Sequence, residues 1–99
     1  MKTYHWSASS GRIELTLHQE DVDNICVSGP NDDAVNATVK LPRIAEQLEK
    51  IPSHKLEEEL SEYGCWDEGE LQDRDANLSR LVWIAAWDVH EDPELHISE

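Results

Sequence analysis

Phenylalanine is absent from the 99 residues, cysteine occurs twice, and eight basic side chains stand against twenty-two acidic ones. Without Phe the interior has to be built from four Trp and from Leu, Ile and Val. Cys26 and Cys65 are too few and too far apart for a zinc framework. No charged segment followed by an apolar one opens the chain as a secretory leader would, so reduced thiols and a cytoplasmic location are expected. The longest apolar run, Leu81 to Trp87, is far short of the roughly 20 residues needed to cross a bilayer.

The shortage of bases leaves a net charge of −14. Residues 1–50 hold eight acids and five bases, net −3, and residues 51–99 hold fourteen acids and three bases, net −11. Such a field repels phosphate backbones and anionic membranes and steers toward basic partners. Direct nucleic-acid or membrane binding is therefore not expected.

With 38% apolar residues, the chain can pack one domain over residues 1–99. A domain of this size hides roughly two thirds of the surface its unfolded chain exposes. Residues 1–18 read as a β-hairpin: Tyr4 and Trp6 alternate with polar neighbours, as do Ile13, Leu15 and Leu17. Residues 19–63 read as short helices. The first spans Glu20 to Val27, and the second is capped by Asn31 with Asp32 and Asp33 in its first turn. Between Asn24 and Leu41, clustered Ile, Val, Thr and Cys leave strand open as an alternative. Pro42 breaks or restarts the second helix, Arg43 to Ile51 continues with Ile44, Leu48 and Ile51 at helical spacing, and Ser53 is the expected N-cap of the next. A long helix from about Glu68 to Val89, within residues 67–90, precedes an acidic tail over 91–99, expected to fray beyond Pro93. The fold class is α+β, an N-terminal hairpin packed on a four- to five-helix bundle with a long C-terminal helix.

The stretch "YGCWDEGEL" explains itself as a corner. With Asp67 at N-cap, Glu70 falls at N3 and completes a capping box, and Trp66 at N′ can staple onto Leu71. Gly64 supplies the left-handed residue that closes the preceding helix. Tyr63 and Cys65 have no such local role. In the last helix, Leu71, Leu78, Val82, Ala85 and Val89 form one stripe, while Trp83, Ile84 and Trp87 lie nearly opposite. That helix is either central or leaves Trp83 and Trp87, adjacent at i,i+4, as a second patch. Asn77 and Arg80 fall on more polar sectors, where an exposed ion pair of Arg80 would be worth about 0–1 kcal/mol.

The chemistry of catalysis is not spelled out. Asp73, Asp75 and Asn77 have calcium-loop spacing, but Leu78 stands where Gly is required and Ile84 where a bidentate Glu is required. The five histidines are scattered, and no nucleophile elbow, phosphate loop or metal motif occurs. No enzyme activity, cofactor or metal is expected.

The run "EYGCWDEGELQDRDANLSRLVWIAA", Glu62 to Ala86, resembles a signature of small uncharacterised proteins encoded by phages, prophages and plasmids, of the form E-Y-G-A-W-D-x-x-E-L-x-D-x-x-x-N-x-x-R-x-x-W-I-A-A. Cys65 replaces its Ala, which argues against a catalytic thiol. The resemblance implies a mobile-element setting and transfers no activity. In that setting rows of carboxylates can imitate a nucleic acid, because helical acids at i,i+3 or i,i+4 sit about 5–6 Å apart. Glu57, Glu58, Glu59 and Glu62 form one expected row and Glu68, Glu70, Asp73 and Asp75 a second. The expectation is a non-enzymatic acidic accessory protein that binds and inhibits a host nucleic-acid-binding protein or complex through a basic surface, with anti-CRISPR action by DNA mimicry as one form. Phage-encoded inhibitors of that kind resemble it in size and charge. The alternative is a homo-oligomeric structural or regulatory module, such as a homodimer, joined through Trp83 and Trp87.

Overall fold

Alternation in the two N-terminal runs puts one face of a hairpin inward. The computed structural model describes residues 2–8, 13–26, 33–62 and 74–97, and in it β1 (Thr3–Ser7) pairs antiparallel with β2 (Glu14–His18). Tyr4 faces Leu17 and Trp6 faces Leu15, all four buried, while His5 and Thr16 pair on the opposite face. The ladder runs past both strand ends, from the Gln19 N–H to the Lys2 carbonyl at 3.1 Å and from the Ala8 N–H to the Ile13 carbonyl at 2.8 Å.

Helix follows strand at once. In α1 (Gln19–Cys26), Asp21 reaches back to accept the His18 N–H at 3.0 Å, satisfying one of the donors a helix start leaves open. Val22 and Ile25, three apart, are its buried residues on the apolar side. Next come α2 (Asp33–Val39) and α3 (Pro42–Glu49), so the described part of the stretch that strand propensity contested is helical. Helical spacing of Val35 and Thr38, both buried, outweighs the β-branched composition there. Pro42 occupies the first helical position of α3, where a missing N–H costs nothing, and Ile44, Leu48 and Ile51 point inward.

In α4 (Ser53–Glu62) the expected cap is displaced by one residue. The N–H groups of Lys55 and Leu56 both donate to the Pro52 carbonyl at 3.1 Å, so Ser53 is the first helical residue and not the N-cap. Its hydroxyl instead accepts from Arg74 Nη1 at 2.9 Å. The corner at Gly64, Trp66, Asp67, Glu70 and Leu71, the Asn31 cap and the expected helix start at Glu68 lie outside the described residues.

The described part of the long helix, α5, runs Arg74–Glu91. It packs against α1, α2, α4 and β1, which makes it the central element. Leu78, Leu81, Val82, Ile84, Ala85, Ala86 and Val89 are all buried, so its apolar residues on every side have neighbours to meet. Trp6 joins the hairpin to this helix, its indole N–H donating to Asp88 Oδ2 at 2.8 Å.

The tail is not frayed as far as Ile97. A 3-10 turn over Pro93–Leu95 brings the chain back to β1, where the His5 N–H donates to the His96 carbonyl at 2.7 Å and Tyr4 bridges Ile97. The reason is the exposed edge of β1, whose backbone groups need partners. On the other side of the hairpin, the Gln47 side-chain amide does the same for β2: Oε1 accepts the Thr16 N–H at 2.7 Å and Nε2 donates to the Thr16 carbonyl at 3.0 Å. Gln47→Leu removes both bonds and leaves the Thr16 backbone groups part-buried and unpaired. We expect a loss of about 1–3 kcal/mol, read as a lower midpoint in urea unfolding with an unchanged slope.

Candidate partner-binding face

Helical geometry divides α4 sharply. Leu56 and Leu60 are buried, and Glu59 lies between them on the same stripe with 1% exposure. Glu57, Glu58 and Glu62 face outward. Glu58 and Glu62 are a single turn apart on adjacent positions, with Glu57 one step round the helix. Glu59 is thus withdrawn from the expected row: a side chain three residues from Leu56 on a helix faces the core, whatever its charge.

Of the second row, Asp75 is exposed near the beginning of the described part of α5. Glu68, Glu70 and Asp73 lie outside the described residues. The described acidic face therefore consists of Glu57, Glu58 and Glu62, with Asp75 on a separate helix.

Trp83 and Trp87 are half-buried. Their rings meet edge to face with centroids 6.1 Å apart and an interplanar angle of 70°, and Trp87 continues onto the His90 ring at 5.6 Å and 89°. Trp83 packs against the hydrophobic core.

Asn77 and Arg80, placed by sequence on polar sectors, are interior at 2% and 4% exposure. A central helix has no outward sector over these turns, so a wheel drawn for a surface helix misplaces them. Ser79 is buried too and donates to Asn36 Oδ1 at 2.7 Å, tying α5 to α2.

Two clamps escaped the sequence because each joins residues far apart in the chain. Arg74 donates through Nη2 to the Leu48 carbonyl at 3.1 Å and the Ile51 carbonyl at 2.6 Å. Together with its Ser53 contact, this satisfies acceptors at the end of α3 and fixes the start of α5 against the α3–α4 junction. Asp21 Oδ1 accepts from Arg43 Nη2, which also reaches Glu20 Oε1 at 3.2 Å. A signal was present for the first only in the general preference of arginine for helix C-terminal carbonyls.

Between α2, α3 and α5 lies a groove of about 880 Å³, lined in part by Val39, Leu48 and Leu78 and in part by Lys40, Glu49 and Arg74. Among the described residues, no group of three or more His, Cys, Asp or Glu is placed to hold a metal ion, and no helix is long and apolar enough to cross a membrane. Asp75 and Asn77, which resemble part of a calcium loop in sequence, sit on a continuous helix with one exposed and the other buried.

The arrangement can offer carboxylates to a cationic surface on a rigid helical support. No family model, curated protein or solved structure matches the chain, which leaves the acidic face, and not kinship, as the guide to function.

Proposed function

We propose that this chain is a non-enzymatic accessory protein of a mobile genetic element that binds and inhibits a host nucleic-acid-binding protein by presenting carboxylates to its basic surface. Competition with DNA or RNA for that surface, as in an anti-CRISPR mimic, is the mechanism. The observation that carries the proposal is the outward Glu57, Glu58 and Glu62 on α4, in a chain of net charge −14. Leu56 and Leu60 anchor the other side of that helix in the core, so the carboxylates are held with little backbone freedom to lose on binding. Complementary charge of this kind raises the association rate and sets the register of docking. The likeness of Glu62–Ala86 to a mobile-element signature supplies the setting.

The test is capture of basic nucleic-acid-binding proteins from a host lysate at low and high salt, repeated with the Glu58→Lys/Glu62→Lys double variant. Capture is expected to fall with salt as charges are screened. The variant is expected to lose at least about tenfold in affinity, equivalent to about 1.4 kcal/mol, while circular dichroism shows it still folded, because Leu56 and Leu60 keep α4 anchored in the core. Capture indifferent to salt and to both reversals would defeat the proposal.

A further inference from the structure

The outer edge of β1 is covered by the chain's own C-terminal segment, and the attachment is slight. Among the described residues it comprises the His5 N–H to the His96 carbonyl at 2.7 Å, His96 Nδ1 at 3.2 Å from the His5 carbonyl, and the antiparallel bridge of Tyr4 to Ile97. Side chains add little grip. Leu95 is 79% exposed and Ile97 45%, and these are the exposed large hydrophobic residues among those described. Asp92, at φ −133° and ψ 64°, breaks the chain direction between α5 and Pro93, and proline after it disfavours continuing the helix.

We infer that this segment is exchangeable: the β1 edge accepts the His96–Ile97 segment of a second copy of this chain, in the register its own segment takes, to give a strand-swapped dimer. The edge is already matched in hydrogen bonding to His96 and Ile97, so a second copy brings the same partners without redesign. Turning about Asp92 redirects the segment while leaving the buried face of α5 in place, since the residues from Asp92 to Leu95 are exposed. Leu95, 79% exposed, is not held against the rest of its own chain and so does not oppose the exchange. Charge opposes the dimer, because each copy carries −14, and salt should relieve that opposition. None of this depends on what the acidic face binds.

The experiment uses an equal mixture of carbon-13-labelled and unlabelled full-length chain, concentrated and held in low and high salt. Native mass measurement is expected to show a species of twice the monomer mass that grows with concentration and with salt. An isotope-filtered NOE between Tyr4 of one copy and Ile97 of the other is expected in that species, beside the unfiltered contact present in every sample. A chain that stays monomeric at high concentration and high salt overturns the inference. So does a dimer in which the Tyr4–Ile97 contact occurs only within one copy, and so does absence of the contact altogether.

Discussion

Trp6→Ala is expected to lower the unfolding free energy by about 3–5 kcal/mol, against about 5–15 kcal/mol for a typical domain. Trp6 is 1% exposed and sits on the inner face of β1 between the hairpin and the central helix. Deleting it opens a cavity in the core that the surrounding buried side chains fill only in part. It also leaves the half-buried Asp88 carboxylate without the indole N–H it accepts at 2.8 Å. For a domain of about 100 residues, a loss of this size corresponds to a melting temperature lower by about 15 °C or more. Trp6→Phe weights the comparison toward the hydrogen bond, since it removes the indole N–H while keeping most, though not all, of the apolar volume. That variant should cost about 1–2 kcal/mol. Equal losses for the two variants, measured by urea unfolding, would mean that the bond and not the packing holds the hairpin to α5.

The hairpin and the central helix were legible because their signals are local. Period-two alternation names Tyr4, Trp6, Leu15 and Leu17 as one face, and burial on that face fixes the register. Ile44 and Leu48 announce α3 in the same way, although it ends at Glu49, short of the Ile51 expected to close it, and apolar residues on every side of Leu81–Trp87 allow a helix that other elements surround. What sequence did not reveal depends on distant partners. The return of His96 and Ile97 to β1 joins residues at opposite ends of the chain through backbone groups, which carry no side-chain code. Gln47 on the edge of β2 and Arg74 on the carbonyls of α3 are polar residues whose types fit a surface equally well.

Glu59 is an instructive miss. Its spacing from Leu56 placed it inward, while its charge suggested outward, and the spacing prevailed. Asn77 and Arg80 failed for the related reason that a central helix buries its polar residues along with its apolar ones. Both belong to the stretch that resembles the mobile-element signature, and so do Ile84, Ala85 and Ala86, all interior. In its described part that stretch therefore specifies mostly a folded core. Glu57 and Glu58 lie just before it, on the exposed side of α4.

The second large effect is expected at Asp21, the one carboxylate that both caps α1 and ties it to α3. Its side chain is 2% exposed; Oδ2 accepts the His18 N–H at 3.0 Å and Oδ1 accepts from Arg43 Nη2. Hydrogen bonds to a charged group contribute about 1.5–3 kcal/mol each, and Asp21→Ala removes both. The Arg43 end is 35% exposed and can turn to Glu20, 3.2 Å away, so the ion-pair share is reduced by solvent. The expected loss is about 3 kcal/mol. Arg43→Met should cost less than Asp21→Ala, because the His18 N–H still satisfies one oxygen of the carboxylate. If the two act as a unit, the Asp21→Ala/Arg43→Met double variant will be more stable than the sum of the single losses predicts, by about 1 kcal/mol or more. Additive losses in chemical unfolding would instead assign the whole effect of Asp21 to the start of α1, and would leave Arg43 as a surface cation that merely lies nearby.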